Sequence, residues 1–153
     1  MTRKVCRRKH YALMNPITLA ISGATMTSEA DMDQLRMREL SAIDCFSKGV
    51  ATPQDFRDIC DMLNLSETMA EQGIGPEAKA AVDAAQAALL AAKARHDQGG
   101  TLTLTAAGLT ALRELYAWHD AQRSAIDRSQ YERAIKKTRD RIRSSHPSVR
   151  VLA

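Results

Sequence analysis

The sequence predicts an all-α fold, an antiparallel bundle of four or five helices behind an extended basic N-terminal arm. Three observations predict it: capping residues recur at helix-length intervals, apolar residues recur every three or four positions, and only one short stretch alternates with the period of a strand. The chain has 153 residues, 44% hydrophobic, 26% charged and 4% aromatic, which suits one compact domain with a modest core. Its 7 Gly, 4 Pro and 3 Cys exclude a collagen-like chain and a disulfide scaffold, and its apolar share excludes a fully disordered one. The expected division is an arm over residues 1–27, a single helical domain over 28–146 and a tail over 147–153.

Ser28, with Asp31 three residues on, can cap a first helix that runs to Lys48, where Gly49 supplies a left-handed stop. Met32, Leu35, Ala42, Ile43 and Phe46 share one face of it, with Leu40 at the edge and Arg36, Arg38 and Glu39 elsewhere. Thr52-Pro53-Gln54-Asp55 is a second start signal, with a capping hydroxyl, proline at the first helical position and a carboxylate in the first turn. Phe56, Ile59, Cys60 and Leu63 follow at helical spacing, and Gly73 closes the segment. Asp55, Asp58 and Asp61, with Glu67 and Glu71, are expected on a solvated face.

A third helix should begin near Pro76 and end before Gly99-Gly100. Ten of the seventeen residues from Ala78 to Ala94 are alanine, the strongest helix propensity in the chain. Its mostly methyl surface lets neighbours approach closely on more than one side, which places it centrally. Thr101-Leu102-Thr103-Leu104-Thr105 alternates like a strand but has no partner, and is expected as an extended linker capped by Thr105. A fourth helix then carries Leu112, Leu115, Tyr116, His119 and Ile126 on one side. Ser129 and Glu132 can form a capping box for a last helix, with Tyr131, Ile135, Thr138 and Ile142 packed, and Pro147 ending it.

The formal net charge of +4 is unevenly spread. Residues 1–11 carry +5, residues 12–27 no charge, residues 28–97 thirteen acids against seven bases, and residues 128–153 eight bases against two acids. Basic ends on an acidic body suit contact with a polyanion or an acidic protein surface. The basic start and the uncharged Ala12 to Thr27 imitate a signal peptide, but Asn15-Pro16 interrupts the apolar run, and no span approaches the length of a membrane crossing. With three cysteines at unrelated spacings, the cytoplasm is the expected compartment.

Reactive constellations are not evident, so no catalytic residue, metal site or cofactor is expected. Cys6, Cys45 and Cys60 form no C-x-x-C, and His10, His96, His119 and His146 form no metal-binding pair. His119, with Asp120 beside it and Glu114 just over one turn back, is read as a packed histidine, and Cys45 and Cys60 as small hydrophobes. Ile59 to Glu67 has the outline of a helix-turn-helix with Asn64 at the turn, but its second helix would end near Gln72 and present Glu67 and Glu71 where phosphates require bases. One continuous helix from Pro53 to Gln72 is the simpler reading. Sequence-independent phosphate contacts fall instead to Arg3, Lys4, Arg7, Arg8 and Lys9 in the arm and to Arg133, Lys136, Lys137 and Arg143 on one side of the last helix.

The basic opening into Asn15-Pro16-Ile17, then Lys48 to Thr52, Leu63-Asn64-Leu65 up to Gly73-Ile74-Gly75, Leu112 to His119 and the tail from Tyr131 to Arg143 together resemble small helical proteins carried by phages, prophages and plasmids of proteobacteria. The resemblance implies a non-enzymatic accessory role in a mobile element. Two expectations follow: a nucleic-acid-associated or regulatory protein acting through its basic ends, or an inhibitor of a host defence factor whose acidic body imitates DNA charge.

Overall fold

The computed structural model describes residues 28–144, so the N-terminal arm, Pro147 and the tail over 147–153 lie outside the described residues. Five α-helices follow one another: α1 Glu29–Lys48, α2 Pro53–Glu71, α3 Lys79–Asp97, α4 Ala106–Ser124 and α5 Arg128–Arg143, with a 3-10 turn at Pro76–Ala78 before α3. No strand occurs among the described residues.

Local chemistry sets most of the boundaries. Ser28 accepts from the Asp31 backbone N–H to start α1, and Gly49 ends it at φ +71°, a left-handed conformation that glycine adopts without a side-chain clash. Thr52 and Asp55 close a full capping box on α2, the Thr52 N–H donating to the Asp55 carboxylate at 2.8 Å. Thr105 caps α4 through the Gly108 N–H, after a linker without regular structure, as expected.

The expected cap of the last helix is displaced by two residues. Asp127 and Gln130, not Ser129 and Glu132, form the capping box of α5. The reason is the residue just before the cap: with Asp127 in that role, Ile126 precedes it and meets Tyr131 in one apolar cluster with Met69 and Ala134, a hydrophobic staple that a cap at Ser129 would dismantle.

α2 is unbroken from Pro53 to Glu71, so the helix-turn-helix outline is not realised. It also takes the central position expected of the alanine-rich helix. α2 packs against all four other helices, whereas α3 rests principally on α2 and α4 and leaves Ala80, Ala84, Ala87, Ala91 and Ala94 exposed. Side-chain size explains the exchange. α2 buries Phe56, Ile59, Met62, Leu63 and Met69, each contributing about 1.5–3 kcal/mol of burial, while a methyl group removes far less apolar surface from water. What alanine does supply is proximity. Gly108 of α4 comes so close to α3 that a Cβ there would lie 3.3 Å from the Ala88 Cβ.

The main core joins Ile43 and Phe46 of α1, Ile59 and Leu63 of α2, Val82 and Leu89 of α3, and Leu112 and Leu115 of α4. At the far end of α2 the chain turns through Gly73 and Gly75, both at positive φ. Gln122 of α4 clamps this turn: its side-chain N–H donates to Ile74 O at 2.8 Å, and its side-chain oxygen accepts from Ser66 Oγ at 2.7 Å. A buried amide bonded on both ends fixes the turn against α4 without stranding a polar group.

Candidate nucleic-acid interface

Among the described helices, α5 separates its packed and exposed sides most sharply. Ala134 and Thr138 are buried and Tyr131, Ile135 and Ile142 half-buried, which places the packed side where the spacing predicted it. Polar contacts seat it on α2: the Thr138 and Thr68 hydroxyls lie 2.9 Å apart, and Arg141 donates to Thr68 Oγ1 at 3.0 Å and pairs with Glu71 at 3.0 Å. Arg141 is therefore the one arginine of this helix committed to the interior contact.

Arg133, Lys136, Lys137 and Arg143 are all exposed on the outward side. Lys136 pairs with Asp140 at 2.8 Å, and that hydrogen bond holds the Asp140 carboxyl below its ordinary range. Arg133 donates to Ser129 Oγ at 3.0 Å. Among the described residues no carboxylate lies within 4 Å of Lys137 or Arg143. Arg139, not among the bases expected to make contact, is exposed as well. Arg3, Lys4, Arg7, Arg8 and Lys9 lie outside the described residues.

Of the carboxylates expected on a solvated face, Asp61 and Glu71 are exposed and Asp55 and Glu67 half-buried, while Asp58 is drawn inward, as is Glu39. Glu39 of α1 is buried and receives both terminal nitrogens of Arg123 of α4, at 2.8 Å each. Asp120 joins Arg123 at 3.1 Å to Arg36 at 2.9 Å. His119 is buried too, but its carboxylate neighbour is Glu39, 3.5 Å from Nε2, and not Glu114. Desolvation is the largest influence on the His119 imidazole and holds it below its ordinary value, against the pull of Glu39. Asp58, another expected surface carboxylate, is nearly buried on α2 and bonded to Arg38 of α1, which keeps it below the usual carboxylate range.

A cleft of about 620 Å³ opens between the first half of α2 and the last turns of α3. Phe56, Cys60 and Leu102 form its apolar floor, and Arg57, Asp61, Asn64, Lys93, His96 and Asp97 its polar walls. Thiol, imidazole and carboxylates thus share one cleft, a combination that residues this far apart in sequence gave no reason to expect. The geometry does not activate the thiol: burial pushes Cys60 up to about 12, and His96 Nδ1 is engaged with Gly100 O at 3.2 Å. Among the described residues, no three His, Cys, Asp or Glu side chains converge as a metal site. No helix among them is long and apolar enough to cross a membrane.

No family model matches the chain, and no match is found among curated proteins or solved structures.

Proposed function

We propose that this is a binding protein, an accessory factor of a mobile element that holds nucleic acid by its phosphates, working in the cytoplasm without cofactor or catalytic step. The observation that carries the reading is the outward side of α5, where Arg133, Lys136, Lys137 and Arg143 stand exposed on a helix docked mainly on α2. Bases held on a rigid helix at one- and two-turn spacing can follow a phosphate backbone without reading base edges. The arm, with Arg3, Lys4, Arg7, Arg8 and Lys9, would extend the same contact.

The rival reading, an acidic body that imitates DNA toward a protein target, draws less support. Glu39 and Asp58, two acids of that body, are drawn into contacts with Arg123 and Arg38 and offer little free negative charge. A mobility-shift titration at low and high salt, comparing the full chain with a version lacking residues 1–11 and with Lys137→Glu/Arg143→Glu, tests the proposal. Binding that weakens with salt and with both changes supports it; binding indifferent to all three overturns it.

A further inference from the structure

The cleft between α2 and α3 has the size of a small-molecule site, with a buried apolar floor and polar walls. Its charges are not equally available. On the α3 wall Lys93 and Asp97, four residues apart, close on each other at 2.7 Å. On the α2 wall Arg57 and Asp61 have the same spacing and opposite charge, yet they do not pair. Arg57 turns back to the Gln54 side-chain oxygen at 3.0 Å, and among the described residues Asp61 has no hydrogen-bond partner. Residues at this spacing stand about 5–6 Å apart at Cβ, so one cation and one anion are held open side by side above Phe56, Cys60 and Leu102.

Asp61 is also poorly compensated where it stands. Asp61 is exposed, but neighbouring protein atoms desolvate its carboxyl and raise it above the ordinary range; Asp58 adds to the effect, and Arg38 and Arg139 oppose it only from a distance. The Asn64 side chain, one turn further along the same wall, is likewise without a hydrogen-bond partner among the described residues and can both donate and accept. The charged lining is balanced, with Arg57 and Lys93 against Asp61 and Asp97, so it offers no net field to a simple cation or anion.

We infer that this cleft binds a small zwitterion with an apolar side chain, of the class of free aromatic α-amino acids. The ammonium meets Asp61 and Asn64, the carboxylate meets Arg57, and the ring covers Phe56 and Leu102. No residue of α5 lines the cleft, and the test is carried out without nucleic acid.

The experiment is a titration of the isotope-labelled full chain with L-phenylalanine, followed by amide chemical shifts. Saturable shifts at Phe56, Cys60, Asn64 and Leu102, weakened about tenfold or more by Asp61→Asn and by Arg57→Gln, are expected. Phenethylamine and 3-phenylpropionate, each lacking one of the two charges, should bind more weakly than the amino acid by a similar factor. Absence of saturable shifts in the cleft overturns the inference, as does phenethylamine or 3-phenylpropionate binding as tightly as phenylalanine, or affinity unchanged in both variants. Both substituted residues are exposed, and an unperturbed amide spectrum away from the cleft establishes that each variant is folded.

Discussion

Glu39 and Arg123 lie 84 residues apart in the chain and meet through two contacts of 2.8 Å, both side chains almost wholly out of water. This pair ties α1 to α4. A buried ion pair adds little over a well-packed apolar substitute, but removal of Glu39 leaves the buried Arg123 with Asp120 alone. Glu39→Ala should cost about 3–5 kcal/mol in denaturant unfolding, and Glu39→Leu combined with Arg123→Met should recover most of it. A double variant as unstable as the single one would show that the charges themselves hold the helices together.

Acid should loosen the same region. Because burial lowers the His119 pKa, the unfolded chain takes up that proton first; the associated stability is complete above about pH 6.5 and is lost as pH falls below it. Glu39 on α1 and Asp120 and Arg123 on α4 are the charged groups that bear on the ring. The expected slope is at most about 1.4 kcal/mol per pH unit. Asp58 and Asp120, held below the usual value of 3.8, act only at much lower pH. Unfolding midpoints from pH 7.5 to 5 should therefore decline in the wild type and flatten in His119→Leu.

Gly108 sits tightly between α3 and the linker before α4: a Cβ there would stand 3.3 Å from Ala88 and 3.4 Å from Leu104. Gly108→Val should destabilise by about 1–3 kcal/mol through overpacking. Ala88→Gly in the same chain should return part of that loss, and thermal melts of the two variants decide the matter.

Gln122→Leu keeps the bulk of the side chain but leaves Ile74 O and Ser66 Oγ without their amide partner. A cost of about 1–3 kcal/mol is expected, with faster hydrogen exchange confined to residues 72–78. Exchange unchanged in that turn would mean that the glycines shape it unaided.

Neutralising exposed bases of α5 should show in the salt dependence of binding. If Lys137 and Arg143 each meet a duplex phosphate, each alanine substitution lowers the slope of log affinity against log salt by about 0.9. Filter-binding or anisotropy titrations across salt concentrations give the slope, and identical slopes in both variants would remove these residues from the interface.

Local chemistry was legible in the sequence wherever neighbouring residues decide the outcome. Ser28, Thr52 with Asp55, Gly49 and Thr105 act within one turn of their own position, and they mark the boundaries expected of them. The packed side of α5, and with it the exposure of Arg133, Lys136, Lys137 and Arg143, was legible for the same reason. Glu39 and Asp58 were not, because a carboxylate is buried only when a cation arrives to meet it, and Arg123 and Arg38 arrive from other helices. The choice between Asp127 and Ser129 as cap depended on where Ile126 packs, again a matter of tertiary contact. The cleft joins residues 53–64 to residues 93–102, a juxtaposition that no single helical face announces.

α5 has one principal neighbour, and a segment so held can leave its seat without dismantling the remainder. Detachment wets Met69, Ile126 and Ala134, while the cluster around Phe46 and Leu112 stays dry. The cationic strip is thereby mounted on the least-anchored of the described helices, and a polyanion lying along it would act as a splint.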